Sequence, residues 1–246
     1  MSKKAFIDAI LISWAVILLV TQFNWRARDF WVELKFKFFN PNAVVEQQEK
    51  IDSILGQFST IPYDQLDDDY LEYTKSNRSK YKQMLQNATY YEVPRDAFNQ
   101  FIVGRTRIKD YLCKDKYYKN AILGKQKTVY WLIDKKLLYK TLELQQTLAK
   151  LGYNPNGFKV ISAHREPRYN EKIRGAGKSK HVLGQAVDAR TRDVNKDGRV
   201  NQKDKQILLN LLDKKIIKNQ GGIGKYPGTR SIHYDVRGSR ARWDDF

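Results

Sequence analysis

Ser179-Lys180-His181-Val182-Leu183-Gly184-Gln185-Ala186-Val187-Asp188 is the stretch on which the reading of this chain turns. It places one imidazole, passes a turn with small residues at Gly184 and Ala186, and ends in strand-like alternation that carries a carboxylate. A second run, Ile232-His233-Tyr234-Asp235-Val236-Arg237, alternates around another imidazole and carboxylate. The protein has three histidines, His164, His181 and His233, all in its last part. Zinc is commonly bound by imidazole nitrogen and carboxylate oxygen, and a catalytic site keeps three protein ligands and one open position for water. Two histidines and one aspartate meet that count. On chemistry alone another reading stands beside it: two half-buried, hydrogen-bonded histidines in a small α+β core.

Upstream, leucines at 137, 138, 142, 144, 148 and 151 give a helix from about Asp134 to Leu151, with Gly152 as its stop. Phe158-Lys159-Val160-Ile161-Ser162 follows as a short β-type run, then Ala163-His164-Arg165-Glu166-Pro167-Arg168-Tyr169-Asn170. Three motifs now agree in order. S-x-H-x-x-G-x-A-x-D resembles the signature of the zinc D-Ala-D-Ala peptidase superfamily, which includes the hedgehog signalling domain. G-G-I-G-x-Y-P…I-H-x-D-x-R-G…A-R-W resembles a branch of peptidoglycan peptidases with an H-x-D ending. S-x-x-R-x-P-x-Y-N is similar to the strand and loop before the first ligand. The resemblance covers roughly residues 130 to 243.

What it implies is a small antiparallel sheet with flanking helices, an α+β fold carrying a zinc site. His181, Asp188 and His233 become the zinc ligands. Arg165 takes the place of an arginine that pairs with substrate or with charge on the carbonyl oxygen, which a guanidinium does bidentately. Ser179 supports the first ligand, and Tyr226 lines the cleft or packs in the core. One position departs from the pattern: better-known branches carry an acid three residues before the last histidine, and here it is Arg230. Residues two apart on a strand share a face, so Asp235 can reach the site, either as the general base or only to orient a ligand, and His164 is a further candidate base.

Between the second and third ligands lies Asp193-Val194-Asn195-Lys196-Asp197-Gly198-Arg199-Val200-Asn201-Gln202-Lys203-Asp204. It fits the calcium-loop template D-x-[DN]-x-[DN]-G, with a terminal acid. The expected Ca²⁺ ligands are Asp193, Asn195, Asp197, Asn201 and Asp204, with the Arg199 carbonyl. The wording resembles one dockerin-type repeat; the alternative is a polar Asp/Asn turn that caps the following helix without metal.

Towards the amino end, Lys3 and Lys4 precede a nearly unbroken apolar run from Ala5 to Phe23. The run is close to the ~20 residues that span a bilayer, and no small-residue cleavage site follows it. Residues 1–25 are therefore expected to be an uncleaved transmembrane anchor, with the C-terminal body exported to the periplasmic or extracytoplasmic face. Residues 26–127 read as a mainly helical region of unknown role, and 128–246 as the zinc domain with its insertion at 193–204.

A formal charge of +18 points to a polyanionic neighbour. The basic residues are interleaved with acids, so no nucleic-acid arm is seen, and the acidic wall polymer is the expected partner. Cys113 is the sole cysteine, which excludes an intrachain disulfide and a thiolate zinc cage. The function expected is a zinc peptidase cutting peptidoglycan stem peptides or cross-links, as carboxypeptidase or endopeptidase. The alternative is a non-catalytic zinc-fold wall-binding or signalling module.

Overall fold

A computed structural model describes residues 43–243, and within them helix α1 (Ala43–Leu55) comes first. Its Ile51, Ile54 and Leu55 recur at helical spacing and are buried. There follow β1 (Thr60–Pro62), α2 (Asp68–Thr74), α3 (Ser79–Leu85), β2 (Thr89–Pro94), β3 (Phe101–Val103), β4 (Thr106–Arg107), α4 (Ile108–Tyr111), α5 (Lys116–Ile122) and β5 (Thr128–Trp131). The first, second and fifth strands form an antiparallel sheet in the order β1-β2-β5, and β3 pairs with β4. The middle region, read as mainly helical, thus also holds short strands that the sequence reading did not separate, although helices still take more of its residues. Thr89-Tyr90-Tyr91-Glu92-Val93 is rich in aromatic and β-branched residues, and its Tyr90 and Val93 are buried.

The remaining elements are α6 (Lys135–Lys150), β6 (Phe158–Ser162), α7 (Pro167–Lys172), β7 (Ala186–Thr191), α8 (Gln202–Leu211), β8 (Gly222–Gly224), β9 (Ser231–Asp235) and β10 (Ala241–Trp243). The helix expected at 134–151 is present as α6. Asp134 caps it by accepting from the Lys136 N–H, and Gly152 leaves it with φ +81°. The sheet order is β10-β8-β9-β7-β6, antiparallel except for the β10–β8 pair.

One apolar core runs from Ile51 to Tyr234 and takes residues from both sides of position 127. The boundary expected there falls inside the compact unit Val44–Phe246. A second cluster joins Tyr70, Tyr81 and Tyr90 to Val182, the residue after His181. These tyrosines pack; they do not offer stacking faces to solvent. The expected anchor, residues 1–25, lies outside the described residues. Among the described residues no helix is long and apolar enough to cross a membrane.

The sheet register positions the site. Ser162 pairs with Asp188, Asp188 with His233, His233 with Gly224, and Gly224 with Trp243. On β7 and β9 the alternate residues Val187, Ala189, Ile232 and Tyr234 enter the core. Asp188 and His233 are thereby turned to the opposite face. Gly224 is needed in this row, because a Cβ there would lie 2.5 Å from the Trp243 indole nitrogen.

Candidate active site

His181 lies in the turn before β7, and three contacts hold it. Its backbone N–H donates to Ser179 Oγ (3.3 Å), its carbonyl accepts from the Arg165 N–H (3.1 Å), and its Nδ1–H donates to the Ala163 carbonyl (2.6 Å). Gly184 closes the turn at φ +63°, where a Cβ would lie 2.3 Å from the Leu132 carbonyl oxygen. The small residue expected at this turn is thus required by a close backbone approach.

The Nδ1 bond leaves His181 Nε2 facing inward, 3.3 Å from His233 Nδ1 and 3.3 Å from Asp188 Oδ1. His233 is turned the other way round. Its Nδ1 lies 2.9 Å from Asp188 Oδ1, and its Nε2 lies 3.2 Å from Asp235 Oδ2. His181, Asp188 and His233, all buried, bring ligand atoms within 4.8 Å of one another and could hold a metal ion. The donor set fits one: each imidazole offers one nitrogen to the cluster while the other is held by an oxygen acceptor, which fixes ring orientation and tautomer.

Electrostatics agree with a site that wants a cation. Burial works against the charged form of His233, but the Asp188 and Asp235 carboxylates outweigh it and its pKa is raised. Burial lowers that of His181, partly offset by Asp188. Burial would raise Asp188, yet bonds from both histidines and the Arg165 charge hold it far below the usual carboxylate range. A metal ion here would take the place of the proton that the cluster otherwise gathers.

Arg165 is buried and joins the cluster, its Nη2 bonding Asp188 Oδ2 and its Nε donating to Ser162 Oγ (2.8 Å). Tyr226 also faces the cluster, its hydroxyl donating to Asp188 Oδ1 (3.1 Å). Both line a cleft of about 710 Å³ together with Arg174, Lys178, Lys180 and Arg237, in which Asp188 is the only acid among the described residues. A larger cleft of about 820 Å³ runs along α6, and none of the three cluster residues lines it.

Asp235 stands at the outer nitrogen of His233. It shares the face of His233 but is fully buried. Its Oδ1 accepts from the Gly222 and Arg237 N–H groups (2.9 and 3.1 Å) and from Arg237 Nε (2.8 Å). Its Oδ2 accepts from Arg237 Nη2 (2.6 Å) and faces His233 Nε2. Burial opposes its charged form, but His233, Arg237 and Gly222 hold its pKa well below the ordinary value. A carboxylate so occupied, on the far nitrogen of His233, orients that ring and is poorly placed to take a proton from water at the cluster. The sequence signal for this was Arg237, two residues further along the same face. Ser162 and Trp243 stood in the quoted S-x-x-R and A-R-W motifs without a role assigned to them, and the Ala163 carbonyl carried no signal. The Trp243 ring lies 5.1 Å from that of His233.

In the 193–204 loop the acids Asp193, Asp197 and Asp204 do not form a converging group of three among the described residues, and the calcium expected there is unsupported. Asp204 accepts from Val194 and Asn195 N–H at Oδ1 (2.7 and 3.1 Å) and from Asn201 N–H at Oδ2 (2.9 Å). It is a clasp and one half of a capping box, with Asn201 bonding the Lys203 N–H. Asp193 accepts from the Gly198 N–H, Asn195 from the Asp197 N–H, and Asp197 from the Arg199 N–H.

Against known proteins, the family model described as peptidoglycan L,D-endopeptidase MepK matches residues 106–243, more than half of the chain. The chain belongs to this peptidase family. The match begins at β4, well before the zinc-domain boundary expected from sequence, and ends at Trp243. It contains every residue of the metal cluster, and it makes the chain one of a family of peptidoglycan peptidases. No curated protein and no solved structure matches significantly.

Proposed function

We propose that this chain is a zinc-dependent endopeptidase that cuts peptide bonds in peptidoglycan stem peptides or cross-links, of the L,D type that its family's description names. The observation that carries the proposal is the convergence of His181 Nε2, His233 Nδ1 and the Asp188 carboxylate in a cleft that five arginines and lysines also line. Zinc held there would supply an acidified water and polarise the scissile carbonyl. The chain's own residues do the rest. Ala163 and Asp235 hold the two imidazoles, and Ser162 aims Arg165 at the cluster. Arg165, Arg174, Lys178 and Lys180 present positive charge to a substrate whose stem peptides carry carboxylates. No step depends on a cation in the 193–204 loop. The apolar run at residues 5–23 would tether this body to a membrane, on the exported side where its substrate lies.

A second reading, a wall-binding module, is favoured by the want of a free acid: among the described residues Asp188 is the only acid lining the cleft, and Asp235 is held by Arg237. Full-length, zinc-loaded protein incubated with cross-linked muropeptides, with and without chelator, separates the two. Chelator-sensitive loss of the cross-linked mass supports the endopeptidase. Zinc binding with every muropeptide unchanged supports the module.

A further inference from the structure

Tyr226 sits in the loop between β8 and β9 with φ +48°, in the left-handed region that a residue with a Cβ seldom adopts. Such a conformation persists only where its surroundings impose it. Its carbonyl oxygen accepts three donors: Lys205 Nζ (2.9 Å), the Thr229 N–H (3.2 Å) and Thr229 Oγ1 (2.9 Å). Lys205 Nζ also donates to the Thr229 carbonyl (2.7 Å), tying both ends of the turn to α8. Lys205 is itself 5% exposed, and among the described residues its ammonium meets these two carbonyls and no carboxylate. Burying an ammonium without a counter-charge is costly, and an apolar side chain would fill that place more cheaply.

At the other end of the same residue, the Tyr226 phenol reaches the cluster, on Asp188 Oδ1, while Arg165 engages Asp188 Oδ2. The two donors therefore bracket the carboxylate, one charged and one neutral.

We infer that Tyr226 is a catalytic hydrogen-bond donor whose single O–H turns from Asp188 Oδ1 to the carbonyl oxygen of the scissile peptide when substrate binds, and that Lys205 is the positioning residue that holds it in place. The inference rests on the peptidase reading and adds to it a donor and a clamp. A preorganised donor aimed at developing charge is worth about 10²–10³ in turnover. Tyr226→Phe should then lower kcat about 100-fold, leaving KM and zinc affinity, measured by competition with a chromogenic chelator, as in the wild type. Lys205→Met should lower kcat in the same sense and speed hydrogen exchange of the 225–230 amides. Lys205→Arg should restore part of both, and adding Lys205→Met to Tyr226→Phe should cost little more than Tyr226→Phe alone. Weakened zinc binding with unchanged kcat in Tyr226→Phe would overturn the catalytic role and make the phenol a support for Asp188. Unchanged amide exchange and kcat in Lys205→Met would overturn the clamp. A wild-type protein that binds zinc and cuts no muropeptide would overturn the peptidase reading and the phenol's role with it. Amide exchange would still decide the clamp.

Discussion

Asp188 and Asp204 are both buried, stand sixteen residues apart in one chain segment, and were both read as metal ligands, yet they end in opposite situations. Asp188 lies on β7, where neighbouring strands pair the backbone, and its oxygens face the two histidines, Arg165 and Tyr226. Asp204 lies where a loop enters α8 and the backbone N–H groups have no strand to meet, and three of them take its oxygens. An unpaired buried N–H is costly, so an acid within reach of several is drawn to them. The spacing of acids in a sequence names potential ligands. Whether they act as ligands depends on whether the backbone around them is already satisfied.

The largest effect that sharpens this contrast is at the cluster. His233→Ala should abolish chelator-sensitive cleavage of muropeptides and most zinc binding, with the circular-dichroism spectrum unchanged. At the loop the effect should fall on stability. Asp204→Ala strands three backbone donors and a helix cap, and should cost about 2–4 kcal/mol in urea unfolding. The loss should be the same in calcium and in chelator, whereas a loss seen only in calcium would make the loop an ion site after all.

Asp235 lies between these cases, since it serves a histidine instead of a metal. Asp235→Asn should reduce turnover or zinc affinity about 10–100-fold, as removal of a ligand's supporting carboxylate does. Complete loss of turnover with full zinc occupancy would restore it as the base.

The smallest expected effect concerns the third histidine. His164 is buried, its Nδ1 has no hydrogen-bond partner among the described residues, and burial, then His181, lower its pKa to about 3. The folded state keeps it neutral while the unfolded chain protonates near pH 6.5, so its contribution is full above that pH and is lost as pH falls towards 3. Between pH 7 and 5 this amounts to about 2 kcal/mol. His164→Phe should flatten that part of the stability profile.

Much of the site was legible because the chain writes it locally. One turn and one strand carry His181 and Asp188, a second strand carries His233, and antiparallel pairing of the two strands closes the cluster. Helix α6 was legible for a similar reason, with its cap, apolar face and terminal glycine all in one window. Strands of two to six residues in the middle region were not. Their pairing partners lie far away, as Tyr91 does from Trp131, and helix-like polar stretches surround them. Two roles stayed open for Asp235 because alternation gives the face of a side chain but not which nitrogen of a neighbouring imidazole it meets. Lys205 reads in sequence as one more lysine of a basic chain, and only the fold of α8 against the 226–229 turn makes it a clamp.

The most direct test of the metal-centred account is cleavage of cross-linked muropeptides by the full-length zinc-loaded protein, followed by mass spectrometry. The account predicts that the cross-linked mass disappears, that chelator stops this, and that added zinc restores it. Cleavage that persists in chelator, or in His233→Ala with zinc present, would contradict it.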